Sequence, residues 1–176
     1  MPETFLAIPV DIADHVYVDE SSPSLLRWKI DRGNHVKKGQ IAGTQRPDGR
    51  WRVVFKKKGY YTYRIYMYLT QQVDLRDLIV DHANGDSACN SRNNLRVATR
   101  AQNNANRKPR GKYKGVSYHP QSGLWRARIH VNGKETTSYH ATDEQAACAY
   151  DRLAVKAHGQ FARLNFPEKA DVFIGR

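Results

Sequence analysis

The stretch IVDHANGDSACNSRNNLRVATRAQNNANRK, residues 79–108, constrains this chain more than any other. A short apolar strand, Leu78-Ile79-Val80, runs into Asp81-His82 and then into a loop rich in Gly, Asn and Ser. Leu95-Arg96-Val97 reads as a second short strand, and Thr99 as the N-cap of a helix. The implied order is strand, loop, strand, helix. Asn103, Asn104 and Asn106 crowd one turn of that helix, although Asn is a poor helix former. Local propensity does not select them. A side-chain amide oxygen reaching a cation, or contacts to DNA, accounts for the choice.

Charge narrows the chemistry. Lys and Arg number 29 against 17 Asp and Glu, a formal net charge of +12. A surplus of this size favours a polyanionic partner, because neutralising phosphates releases condensed counterions. Residues 81–112 hold seven basic residues and only two acids, Asp81 and Asp86. Isolated acids in a phosphate-seeking stretch point to a divalent cation. Hydrolysis of a phosphodiester needs a hard cation against developing charge and a base to deprotonate water. Mg²⁺ keeps several waters, so one or two oxygen ligands suffice, and a histidine near pKa 6.5 suits the base. Asp81 and His82 supply that pair. Adjacent strand residues point to opposite faces, so bending of the strand or the loop must bring both to one site.

On these residues the chain resembles the HNH endonucleases, in the variant with asparagine in the third position. The resemblance spans about residues 50–107 and rests on Asp81-His82, Asn94 and Asn103 with the framing VDHANGD and NNLRVATRAQN. It implies a ββα-metal core, 48–108, holding one Mg²⁺ or Mn²⁺ ion. Asp81 and Asn103 are then the metal ligands, His82 the general base, and Asn94 the residue that ties down the loop and helps orient His82. Many relatives carry a His-Arg pair on the strand before the motif, where this chain has Tyr63-Arg64.

Upstream, RWRVVF and YYTYRIYMYL are rich in aromatic and branched residues and read as a β-hairpin. Its tip, Lys56-Lys57-Lys58-Gly59, is either a phosphate contact or a solvated turn. Residues 1–47 form a further β-rich region without assigned chemistry, with strands at Val16–Val18 and Leu25–Trp28 and a Ser-Ser-Pro turn between them.

After a basic linker, 109–112, residues 113–119, 124–131 and 134–140 read as three strands, joined by Ser-Gly and Asn-Gly turns. Thr142 and Gln145 form a capping box for a helix whose apolar face is mostly alanine and which Gly159 stops. Residues 113–167 resemble the ethylene-response-factor (Apetala-type) DNA-binding domain, on Tyr113-Lys114-Gly115-Val116, Trp125, Ala127, Ile129, Ala149-Tyr150-Asp151 and the closing Leu164-Asn165-Phe166-Pro167. The resemblance assigns DNA contacts to Lys114, Ser117, His119, Gln121, Arg128, His130, Lys134, Thr136 and Tyr150. Several of these depart from the plant pattern, so its target sequence does not carry over. Period-two alternation puts Arg126, Arg128 and His130 on one strand face. A tail, 168–176, follows.

The expected fold class is therefore α+β, a nuclease core followed by a three-stranded sheet on one helix. The expected partner is double-stranded DNA, cut at specific sites by a monomer as in the free-standing homing endonucleases of phages. A non-catalytic DNA-binding regulator with a vestigial HNH fold is the main rival, and a structural RNA-binding protein a third reading. Two cysteines, Cys89 and Cys148, cannot build a four-ligand zinc site, so no structural zinc is expected. No small-molecule cofactor, signal peptide or membrane span is expected either, which implies a cytoplasmic protein.

Overall fold

The computed structural model describes residues 6–174. It is a mixed α+β chain with several small antiparallel sheets, as the sequence implies. It divides into two compact units, one running to Arg100 and the other from Ala101. The boundary thus falls inside the segment expected to form one nuclease core.

The first unit holds three small sheets and a helix. β1 (Val16–Val18) pairs with β2 (Leu26–Trp28). β3 (Thr44–Gln45), β4 (Trp51–Phe55) and β5 (Lys58–Tyr61) form a meander. β6 (Ile79–His82) pairs with β7 (Leu95–Ala98). Residues of the 1–47 segment share a core with β4 and β5: Ile12, Val16, Leu26 and Trp28 meet Val53, Phe55 and Tyr60. No packing boundary falls at residue 47.

Between β5 and β6 the sequence reading needs correction. Of YYTYRIYMYL only Tyr60 and Tyr61 continue the hairpin; Thr62–Gln71 is a helix, α1. Ile65 enters the first core while Tyr63, Tyr66 and Met67 enter a second with Leu75, Val80 and Leu95. Every residue from Thr62 to Met67 is buried, the polar Thr62 and Arg64 included, so no solvated side of that stretch reveals the helical period. The preceding turn is also tighter than expected. Lys56 and Lys57 alone make it, both at positive φ (49° and 61°), and Lys58-Gly59 already belong to β5. The Arg52 guanidinium packs over Gly59, 2.0 Å from where a Cβ would stand, so a larger residue there would displace that side chain.

The second unit contains α2 (Arg100–Ala105, from Ala101 onward) and the sheet β8 (Val116–His119), β9 (Leu124–Val131) and β10 (Lys134–His140) in the order β10-β9-β8. α3 (Asp143–His158) lies on the sheet, and α4 (Ala170–Ile174) follows. The expected capping box forms: the Thr142 side chain accepts from the Gln145 N–H at 3.2 Å. Ala127 and Ile129 of β9 pack on Ala146, Tyr150 and Ala154 of α3. The alanines let the helix approach closely, and Gly115 must be glycine because its Cβ would sit 2.1 Å from the Tyr150 ring.

Candidate active site and nucleic-acid face

The β6–β7 hairpin places the predicted Asp-His pair. The register sets Asp81 opposite Arg96 and His82 opposite Leu95. Both Asp81 and His82 are buried. Arg96 donates to Asp81 Oδ2 from Nε at 2.9 Å and forms an ion pair with it through Nη2 at 2.8 Å. This holds the carboxylate in one orientation through one of its two oxygens.

His82 is held by a residue that sequence reasoning did not single out. Its Nε2 lies 3.1 Å from Asn90 Oδ1. An amide oxygen only accepts, so this contact puts the ring hydrogen on Nε2 and leaves the lone pair on Nδ1. The Tyr63 ring meets the imidazole edge-on at 5.0 Å between centroids. Burial pushes the His82 pKa below the ordinary histidine value, opposed by the Asn90 hydrogen bond and reinforced by the nearby Arg50 charge. The imidazole is therefore neutral near pH 7, the form a base requires. Tyr63 cannot replace an imidazole in proton transfer. Its own hydroxyl is pushed up to about 12, chiefly by burial. Tyr63 and Arg64 lie on α1, not on a strand, and Arg64 is spent on structure, donating to the carbonyls of Leu75 (2.8 Å) and Leu78 (3.1 Å).

Asn94 ties down the loop. Its Oδ1 accepts from the Asn84 N–H at 2.9 Å, its Nδ2 donates to the Cys89 carbonyl at 2.6 Å, and its own carbonyl accepts from the Ala83 N–H at 2.8 Å. The division of labour is thus sharper than expected: Asn94 fixes the backbone and Asn90 touches His82. No local period links positions 82 and 90. Nothing in the sequence sets Asn90 apart from Asn84, Asn93 and Asn94 in the same loop. Asp86, the other acid of this stretch, is exposed and accepts from the Ala88 N–H at 3.0 Å.

Asn103 stands on α2 and is partly exposed. Among the described residues no group of three or more His, Cys, Asp and Glu gathers to hold a metal ion. Asp81 offers carboxylate oxygens. Such hard donors suit Mg²⁺ or Mn²⁺, ions that retain waters and need few protein ligands.

In the second unit, alternation and register sort the predicted DNA-contacting residues. Arg126, Arg128 and His130 share one face of β9; pairing brings Ser117 and His119 of β8 and Tyr139 of β10 to the same side. Arg126 Nη2 donates to Ser117 Oγ at 3.3 Å, and the His119 and Tyr139 rings meet at 5.2 Å. Glu135 joins this face and pairs with Arg128 at 3.5 Å, both about half exposed, a contact worth little in water. Gln121 lies exposed in the turn between β8 and β9. Lys134 and Thr136 fall opposite Val131 and Ile129, on the face that carries the core. Lys114 is half buried, and its Nζ donates to the carbonyls of Ala105 and Arg107 past the end of α2; burial lowers its pKa to about 8, helped by Arg163 and Arg107. Tyr150 is buried beneath Gly115. These last four do not join the exposed arginine face. In the first unit Lys57 and Lys58 are exposed, while Lys56 pairs with Asp11 at 2.6 Å.

Residues 72–105 match the HNH endonuclease family. The matched stretch contains Asp81, His82, Asn90, Asn94 and Asn103. The chain is also 33% identical over 90 residues to an uncharacterized HNH endonuclease of Acanthamoeba polyphaga mimivirus, covering 51% of this chain and 48% of that protein. The chain therefore spans about half the length of that curated relative. No solved structure matches. No described helix is long and apolar enough to cross a membrane.

Proposed function

We propose that the protein is a divalent-metal-dependent endonuclease that hydrolyses phosphodiester bonds of double-stranded DNA. The observation that carries this reading is the buried Asp81-His82 pair at the end of β6, with His82 neutral and aimed by Asn90. A buried polar pair is costly unless satisfied, and here Arg96 pairs with Asp81 and Asn90 holds the His82 ring. His82, with its lone pair on Nδ1, takes the proton from the attacking water. Asp81, steadied by Arg96, and Asn103 supply oxygen ligands, as the family pattern assigns them. A bound Mg²⁺ or Mn²⁺ supplies charge stabilisation at the phosphate and the leaving oxygen. One site per chain cuts one strand, so a monomer nicks. The Arg126, Arg128 and His130 face of the second unit serves as the duplex-reading surface, since a β-ribbon fits the major groove; this gives the site-specific, homing-type nuclease anticipated from sequence.

The Arg96 ion pair on Asp81 favours a second reading, a DNA-binding regulator in which the carboxylate is permanently neutralised. A supercoiled-plasmid assay separates the two. Wild type nicks in Mg²⁺ and not in EDTA, and His82→Ala lowers the rate by about 10²–10⁴-fold while binding the same DNA. Equal binding with no metal-dependent cleavage by the wild type establishes the regulator.

A further inference from the structure

The segment 27–58 carries eleven Lys and Arg against two Asp, whereas residues 6–26 carry four acids and no Lys or Arg. A basic run is often only a solvated face. Here, however, pairing consumes only part of it: Arg27 is held by Asp19, Lys37 by Asp31, Arg50 by Asp48 and Lys56 by Asp11. Arg46 is exposed, and its guanidinium has no partner among the described residues. It borders a cleft of about 480 Å³ on the outer face of the β3-β4-β5 sheet, floored by Trp28, Ile41, Thr44 and Val54 with Arg52 beside it. Nearby, Arg32 stacks over Trp28 at 4.3 Å and donates to the Val54 carbonyl at 3.2 Å.

This face runs on to the candidate active site. Arg52 is the cross-strand neighbour of Tyr61 and shares its side of the sheet. Tyr61 stacks on Tyr63 at 5.3 Å, the Arg50 guanidinium lies 5.5 Å from the Tyr61 ring, and Tyr63 meets His82. The turn carrying Arg46 to Arg50 also abuts the site loop, since a Cβ on Gly49 would lie 2.8 Å from Ala88. Cations and π-faces therefore form one path ending at the proposed base, all within the first unit.

We propose that this face is a track for the DNA phosphate backbone on one side of the scissile bond, with Arg46 as a direct phosphate contact. The proposal rests on the nuclease reading for the identity of the DNA as substrate. It gives the N-terminal region a role: the first unit holds its own substrate arm, whatever the sheet of the second unit reads.

The test measures affinity for a short fluorescent duplex across a salt series, using the full chain with His82→Ala so that nothing is cut. Arg46→Gln is expected to reduce the slope of log K against log salt by about 0.9, and affinity at about 0.1 M salt on the order of eightfold. Arg46→Lys restores most of the slope, and an unchanged melting temperature excludes misfolding. An unchanged slope and affinity in Arg46→Gln overturns the track, as does a loss confined to single-stranded RNA. The nuclease reading fails separately. A wild type that cannot cut, alongside a reduced Arg46→Gln slope, leaves the track standing without it; cutting with an unchanged slope leaves the nuclease without the track.

Discussion

Each unit of the molecule buries one aspartate almost completely, Asp81 at 5% exposure and Asp151 at 0%, and their surroundings differ in kind. Asp151 accepts from the Asn165 and Phe166 backbone N–H groups at 2.8 and 2.9 Å, and from Asn165 Nδ2 at 3.1 Å. It fastens the closing segment to α3. Asp81 is ion-paired with Arg96 and adjoins a neutral imidazole held by an uncharged amide. A carboxylate surrounded by backbone donors is a structural tie. One beside the proposed base is placed for the proposed chemistry. Burial alone does not separate the two; the partners do.

The sharpest way to break this comparison is to neutralise each aspartate in turn. Asp81→Asn keeps the shape but removes the charge of the proposed ligand. Metal-dependent cleavage is expected to fall by about 10²–10³-fold, a loss comparable to removing one preorganised electrostatic contact, while duplex affinity measured by anisotropy is retained. Cleavage at the wild-type rate would make Asp81 a structural residue like Asp151.

Asp151→Ala should show the opposite profile. Losing a buried acceptor of several N–H groups costs about 3 kcal/mol, read as a lower midpoint in urea denaturation of the full chain. Cleavage of plasmid by the fraction that remains folded should persist. A large loss of cleavage with unchanged stability would overturn the assignment of Asp151 as a tie.

The same contrast explains what the sequence disclosed. The second unit's strands and helix follow period two and period 3.6 with turn and cap residues between them, because one face of each element is buried and the other solvated. Val116, Ala127 and Ile129 against Ser117, Arg126 and Arg128 carry that pattern plainly. α1 hid because burial of Thr62–Met67 on all sides erased the pattern, leaving β-favouring Tyr and Ile to mislead. Asp81 and His82 were legible from their chemistry and spacing. Asn90 was not, because its partnership with His82 is made by the loop's path, which no local residue pattern encodes.

A third aspartate sharpens the comparison from the solvent side. Asp19 is partly exposed and holds its pKa down to about 2, through the Ser21 side chain first and Arg27 second. Its folded pKa lies below the roughly 3.9 of an unfolded aspartate. The carboxylate therefore contributes stability that is fully present above about pH 4 and is lost as pH falls through about 2. Asp19→Asn removes that contribution. Urea denaturation of wild type and variant should thus differ by a constant amount from pH 7 down to about 5, with the two curves drawing together between about pH 4 and 2. The effect is the smallest of the three, because water already competes for an exposed pair. A difference that persists unchanged to pH 2 would mean that Asp19 acts through the shape of its turn, by the Ser21 hydrogen bonds an asparagine oxygen can still accept. Charge at this exposed pair would then contribute nothing to stability.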